Sequence, residues 1–549
     1  MAKILLKRAD LWSRHIYNKR EVYFKGYILN NGKSITGIEA SLLMFKLIPS
    51  LDSDNFSNQV KLILLKVDGM FAIIIKQGGR VFGAVDRNRS TPLLYCHNKS
   101  EFVIGDNGSQ VSKELQKKYI DSDRCIEFSM SGFTIGNGTL YSKLYQLRAG
   151  EYIFVTDKSS KIDRYYIYSP WKSNFNKDEE YYAKKLSEVN TRLFSKLSKE
   201  LNGRTVIVPL SAGLDSRLIV SGLVEAGYSN IKCYSYGLKG NFESKAAYEI
   251  SSKLNIPWRM VETNHSYLRS IHSSKDMKKY FNEFDTYASV PTTQDFWAIH
   301  ALKEDGWIPK DSVIINGNSG DFISGGHIPL SLANNKTENA KELNQLFELF
   351  IEKHYGLWSD LKNKNNINII KKQLKNTWKL SSNNDPNIPL WSIYECLEWQ
   401  SRQTNFILTI QRIYEFFGYS WRLPLWDKDY LDFWETVPQE YKYNQSLYRK
   451  VLYSDNWGGV WRKYDEHISP KWIAPVRNTC KLLCSPFGRK SWHYVDKRFF
   501  SYFMDIVGSA SSYGVPYKDF LFDNRGFKNG ISFRCKKYLD EKKCNAVNN

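Results

Sequence analysis

The run Leu210-Ser211-Ala212-Gly213-Leu214-Asp215-Ser216-Arg217 gathers small residues, two hydroxyls and a carboxylate behind the apolar stretch Val206-Ile-Val-Pro-Leu210. Small side chains let a backbone close around an anion. The N–H groups of such a loop, with the positive end of a following helix, hold pyrophosphate oxygens, and Ser211 and Ser216 add hydroxyl donors. Asp215 would repel a phosphate unless a cation intervened, so its presence argues for magnesium (Mg2+) bridging carboxylate and phosphate oxygens. The alternative is an ordinary strand-turn-helix connection.

Such a loop must be carried between a buried strand and a helix. Strands are expected from Thr205 to Leu210, Ile231 to Tyr236, Arg259 to Glu262 and Ser312 to Asn316, with helices from Ser216 to Ala226 and Glu243 to Leu254. This alternation means an α/β region, a parallel sheet covered by helices. From Thr337 to about Leu452 the chain reads as mostly helical. Upstream, Val60 to Leu65, Met70 to Ile75, Arg80 to Val85, Phe102 to Gly105 and Glu151 to Val155 are expected strands, and Gly78-Gly79 signals a hairpin. A polar stretch from Lys172 to Asp178 precedes a helical period at Tyr182, Leu186, Val189, Leu193 and Leu197. The expected organisation is therefore 1–170, 171–470 and a basic extension, 471–549, with 15 basic and 6 acidic residues, read as packing on the middle region.

The serine, glycine, aspartate and serine after an apolar strand resemble the pyrophosphate loop of ATP pyrophosphatases, and the neighbourhood resembles the asparagine synthetase family. That family has serine-glycine-glycine-leucine-aspartate-serine where this chain has Ser211 to Ser216, with Ala212 replacing one glycine. Tyr234-Ser-Tyr236-Gly-Leu238 is similar to its second strand, Glu243-Ser-Lys-Ala-Ala247 to its next helix start, and Asn316-Gly317-Asn318-Ser-Gly-Asp321-Phe-Ile-Ser-Gly-Gly326 to its second glycine-rich loop. The resemblance implies an ATP-binding set of Leu210, Ser211, Gly213, Asp215, Ser216, Tyr236 and Gly317, a Mg2+ site at Asp215 and Asp321, and substrate contacts at Asn318 and Arg422. Asn318 stands where the family has a glutamate, and an amide cannot exchange a proton near neutral pH.

The segment Gly418-Tyr-Ser-Trp-Arg422-Leu-Pro-Leu-Trp-Asp427 is similar to the family's glycine, arginine, proline and aspartate segment beside its substrate pocket. The family lysine that neutralises transition-state charge precedes an arginine by about one helical turn. Counting back from Arg449 falls on Gln445, and Lys450 is the expected substitute. Arg217 and Arg449 are further candidates for phosphate or substrate contacts.

Val67-Asp-Gly-Met-Phe-Ala-Ile73, Gly83-Ala-Val-Asp86-Arg87 and Pro92-Leu-Leu-Tyr95 resemble the family's glutaminase, which implies an α+β sandwich before the α/β region. A working glutaminase of this type uses a cysteine exposed at position 1 after methionine removal. This chain begins Met1-Ala2 and has no cysteine before Cys96, so glutamine hydrolysis through a thioester is not expected. The implied reaction is ATP-dependent amide formation through an acyl-adenylate, on a small-molecule, glycan or peptide carboxylate such as a sugar acid. Its nitrogen would come from free ammonia, a partner glutaminase or an amine of the substrate.

Lysine and arginine exceed aspartate and glutamate by 21, which favours anionic partners without selecting one. The +21 charge also fits a transfer-RNA-modifying pyrophosphatase, but the glutaminase-like region counts against it, and no nucleic acid is expected. A catalytically inactive scaffold is the other rival, against which stand the paired aspartates. No apolar run reaches the roughly 18 to 20 residues of a membrane span, and the start is too short for a signal-peptide core, so a cytoplasmic chain is expected. Eight cysteines lack the density of a disulfide framework, and Cys480 and Cys484 read as ordinary thiols. His300 and His327 read as structural, the latter close to the expected pocket.

Overall fold

In the strand Asp68–Gln77 alternate side chains enter two different cores, Phe71, Ile73 and Ile75 one, Ala72 and Ile74 the other. A computed structural model describes residues 2–30, 32–98, 101–172, 176–333, 340–379, 388–464, 473–503 and 514–544. This strand lies inside a seven-stranded antiparallel sheet in the order Ser160–Arg164, Glu151–Val155, Arg80–Val85, Asp68–Gln77, Arg20–Asn30, Ser13–Tyr17, with Lys33–Thr36 paired to Arg20–Asn30. A second sheet, Ala2–Leu5, Glu101–Gly105, Leu94–Asn98 and Tyr145–Gln146, packs on the Ala72 and Ile74 face through Tyr95, Phe102 and Ile104. The result is the expected α+β sandwich.

One local expectation fails. Val60 to Leu65 is not a strand but part of the helix Phe56–Lys66, because Phe56, Val60 and Leu64 bury one helical face while Leu62 is exposed. The first fifty residues, to which no element is assigned from sequence, supply strands to both sheets.

The five-stranded sheet that follows is all parallel, in the order Trp258–Glu262, Ile231–Gly237, Val206–Pro209, Val313–Ile315, Ser420–Arg422. Its last strand interrupts the stretch expected to be helical, and Thr337, where that stretch was to begin, lies outside the described residues. Helices Leu214–Glu225 and Phe242–Lys253 connect successive strands, as the βαβ rule requires. The two regions share one continuous apolar core and are tied by ion pairs, Lys25 with Glu415 at 2.8 Å and Arg87 with Asp432 at 2.9 Å. The helix Glu179–Leu201 contributes Lys196, which bridges Asp68 at 2.5 Å and Asp427 at 2.7 Å.

The C-terminal residues do not sit only on the middle region. The helix Gly530–Glu541 packs on Ser122–Ser131, where Tyr538 stacks on Phe128 at 5.2 Å, and its end is joined there by a Cys125–Cys544 disulfide. The cysteines are thus not all free thiols, although Cys480 and Cys484 are. Among the described residues no helix is long and apolar enough to cross a membrane.

Candidate active site

Asp215 occupies the first turn of the helix Leu214–Glu225, whose N-cap, Gly213, offers no side chain to the leading N–H groups. Those groups face the open end of the parallel sheet, where ligands of such folds bind. Leu210 follows the strand Val206–Pro209 and donates its N–H to Tyr234 O at 2.8 Å. The turn is held by its hydroxyls: Ser216 Oγ accepts from Ser211 N at 3.1 Å, the two hydroxyls lie 3.1 Å apart, and Gly213 N donates to Ser211 Oγ at 3.1 Å. Tyr236 stands at the carboxyl end of the adjacent strand, edge-on to Trp297 at 5.4 Å.

The second glycine-rich loop closes directly over this turn. Asp321 N donates to Asp215 Oδ2 at 3.1 Å, so the two carboxylate-bearing loops meet. A Cβ on Gly320 would fall 2.4 Å from the Asp215 carboxylate, and one on Gly317 2.8 Å from the Asp215 backbone, so neither position has room for a side chain. Ser319, between them, adopts a left-handed φ of 69° and is fixed by Ser319 Oγ donating to Gln403 Oε1 at 2.7 Å. Asn318 N donates to Asn316 Oδ1 at 2.9 Å, and its carbonyl accepts from the Trp426 indole at 3.1 Å.

Crowding by protein atoms, and then the charge of Asp321, push the Asp215 carboxyl up to about 8. Tyr448 donates its hydroxyl to Asp215 Oδ1 at 3.1 Å. Asp321 is held below the ordinary carboxylate range: burial works against this, but His327 Nε2 lies 3.1 Å from Asp321 Oδ2. The other nitrogen of His327 lies 2.5 Å from Glu398 Oε1, and against the pull of burial these two carboxylates hold the imidazole up at about 9. Arg402 approaches the same Glu398 oxygen at 3.4 Å, and Lys353 donates to His327 O at 2.8 Å. One side of the acidic pair is therefore lined by cationic groups.

Two carboxylates converging at a helix start without a side-chain cap suit a magnesium ion, which takes one or two protein carboxylates and completes its shell with water and substrate phosphates. The glycine cradle fits that use, since Gly317 and Gly320 place no side chain against Asp215.

The structure brings together Leu210, Ser211, Gly213, Asp215, Ser216, Tyr236, Gly317, Asn318 and Asp321. It does not bring Lys450 or Arg422 to them. Lys450 is two residues beyond Tyr448 on the helix Ser446–Asp455, roughly 200° around its axis, and its ammonium pairs with Glu180 at 2.5 Å and Glu179 at 2.9 Å. Gln445 stands at the loop instead, donating to Ser324 Oγ at 2.9 Å. Arg422 pairs with Glu200, donates to Ser34 Oγ at 2.8 Å and stacks on Tyr27 at 3.8 Å, which ties the sandwich to the parallel sheet. Arg217 turns back onto Ala212 O at 2.5 Å and Arg462 O at 2.9 Å, and Arg449 reaches Gln445 at 3.4 Å. His300 lies 3.7 Å from Asp276, away from the loops. Sequence reasoning missed Tyr448, Glu398, Arg402 and Lys353, whose distance along the chain from Asp215 leaves no spacing to read. His327, read as structural, contacts Asp321 directly.

A search of the curated proteins finds no match. Among solved structures, the glutamine phosphoribosylpyrophosphate amidotransferase from B. subtilis complexed with ADP and GMP aligns at 13% identity over 46% of this chain and 72% of its own, with a TM-score of 0.20. A structure described as the allosteric regulatory enzyme of purine biosynthesis aligns at 14% identity over 48% of this chain, which spans 59% of that one's length, again with a TM-score of 0.20. Likeness at this level says nothing of activity. The family comparison is specific: residues 202–454, which hold both loops, match the asparagine synthase family.

Proposed function

We propose that this chain is an ATP-dependent, AMP-forming, amide-forming ligase of the asparagine synthetase type. The observation that carries the reading is the meeting of Asp215 and Asp321 over the Ser211–Ser216 turn, at the uncapped start of a helix. In the proposed reaction a substrate carboxylate oxygen bonds to the α-phosphorus of ATP, and the bond from that phosphorus to the bridging oxygen breaks, releasing pyrophosphate. Ammonia or an amine then attacks the acyl carbon, loses a proton, and AMP departs with the electron pair.

The turn N–H groups with Ser211 and Ser216 bind and orient the pyrophosphate. Asp215 and Asp321 would hold magnesium, which would supply charge neutralisation for the departing pyrophosphate. Leu210, Gly213, Tyr236 and Gly317 border the nucleotide. The cations His327, Arg402 and Lys353 flank Asp321, and we assign to them the electrostatic role expected of Lys450, since fixed positive charge in a partly dry site is worth far more than in water. We read residues 1–170 as a degenerate glutaminase-like region, with the synthetase region over 171–470. The sulfurs of that sandwich are closed, Cys96 being buried, with burial raising its thiol to about 11, and Cys125 disulfide-bonded. Nitrogen then comes from free ammonia, a partner glutaminase or the substrate, and a sugar acid is one fitting carboxylate.

Gln445 at the second loop, where the family lysine would stand, favours one other reading, a nucleotide-binding scaffold without turnover. Incubating the protein with ATP, magnesium, ammonia and a panel of carboxylates, and separating the nucleotides, tests both. AMP with pyrophosphate supports the ligase. ADP as product rules out the acyl-adenylate, and saturable ATP binding without any product favours the scaffold.

A further inference from the structure

One surface outside both loops has an unusual composition. The helix Ala474–Cys484 contains no buried residue, and Val476, Leu482, Leu483 and the following Phe487 are 50%, 73%, 68% and 77% exposed. The next helical turns add Tyr494 and Phe499, at 52% and 44% exposure. Large apolar side chains clustered in water mark a surface meant to be covered. Residues 474–500 also carry six lysines and arginines against one acidic residue, Asp496, which is neutralised within the segment by Arg477 at 2.7 Å. Lys497 and Arg498 turn inward, donating to Phe527 O at 3.0 Å and Leu521 O at 2.8 Å, and so fasten the segment to the body. Lys481 and Arg489 remain exposed beside Leu482, Leu483 and Phe487.

We propose that residues 474–500 dock the protein on an anionic lipid bilayer. The apolar tips enter the headgroup and upper acyl region while the lysines and arginines stay at the phosphate level, the arrangement of helices that lie in the interface plane. At 11 residues the helix is about 17 Å long, too short to span a bilayer but long enough to lie on one. Charge selects this occupant. A surface with exposed apolar side chains and unopposed positive charge is complementary to anionic headgroups over hydrocarbon, whereas a second copy of the chain would set like charge against like.

The test is flotation of the full-length protein with phosphatidylcholine vesicles, with and without phosphatidylglycerol. The expected result is recovery with the anionic vesicles, weakened by salt, and a partition at least about tenfold lower for Leu482→Asp/Leu483→Asp/Phe487→Asp. These side chains are exposed, so near-ultraviolet circular dichroism should be unchanged. A second variant, Lys481→Glu/Arg489→Glu, keeps the apolar tips and should lose the preference for anionic vesicles. No flotation of the unmodified protein, or flotation of both variants equal to that of the unmodified protein, overturns the proposal. So does a concentration-dependent dimer in sedimentation that the apolar variant abolishes without any vesicle binding, because a second copy would then be the occupant.

Discussion

The backbone N–H of Asp321 points at the carboxylate of Asp215, 3.1 Å away, across 106 positions of sequence. Each loop thus fixes the other's geometry, and Gly320 is what lets them approach, because any Cβ there would overlap the Asp215 carboxylate.

Asp215→Asn keeps the shape but removes one of the two carboxylates that would hold the cation. It should lower magnesium-dependent exchange of labelled pyrophosphate into ATP by roughly 100- to 1,000-fold with the thermal midpoint nearly unchanged, the usual scale for one electrostatic group. Gly320→Ala should match it by displacing Asp215. Exchange at the unmodified rate in either variant would show that the loops are structural.

Two positions on one helix separate the site from the surface. Tyr448 donates to Asp215 while Lys450 pairs with Glu179 and Glu180 on the opposite side. Tyr448→Phe should therefore slow turnover by about tenfold or more, the loss of one hydrogen bond to a charged group, whereas Lys450→Met should stay within about threefold. Steady-state kinetics of both variants under the same conditions decides it, and the reverse ranking would return Lys450 to the site.

The parallel sheet and its first loop were legible because strand, small-residue turn and helix are contiguous, so period and residue type speak for the same structure. Val60 to Leu65 misled because so short a run, apolar except at Lys61, shows no clear period of its own. Its partner Phe56 lies outside the run, and only the spacing Phe56, Val60, Leu64 reveals the helix. Ser420–Arg422 is three residues long, too short to show alternation. Tyr448, Glu398 and His327 reach the aspartates through tertiary packing alone. Lys450 has the right residue type near the right place, but the direction of a side chain around a helix depends on where that helix lies, and Gln445, five residues earlier, is the one that faces the loop.

Trp426, whose indole holds the Asn318 carbonyl, is followed by Asp427, and Asp427 shares Lys196 with Asp68. Burial first, and then Asp68, push the Asp427 carboxyl up to about 6, above the unfolded value near 3.8. A folded-state pKa raised in this way means that the folded protein binds more protons between those limits. Its contribution to stability is present below about pH 4 and is lost as pH rises through about 6. Asp427→Asn, which can still cap the following helix by accepting from Asp429 N, removes the titration and should flatten the dependence of urea midpoint on pH across that window. An unaltered slope would locate the proton elsewhere.

The second loop ends against a fully buried ion pair, Lys442 with Glu395 at 2.6 Å, to which the Tyr168 hydroxyl also belongs at 2.8 Å. A Cβ on Gly325 would lie 2.3 Å from Lys442 O, so the loop's exit and this residue are in contact. Burial raises Glu395 to about 7 and lowers Lys442, and each keeps the other charged. Removing one partner strands the other, which in buried pairs costs about 3–5 kcal/mol, whereas replacing both costs far less than twice that. Lys442→Met should therefore destabilise strongly at pH 8 and less at pH 5, where Glu395 can take up a proton. Lys442→Met/Glu395→Gln should recover much of the loss at pH 8. A double-mutant cycle by urea denaturation reads the coupling directly. Additive losses in that cycle would mean that the two side chains act independently and that the loop is held by backbone contacts alone.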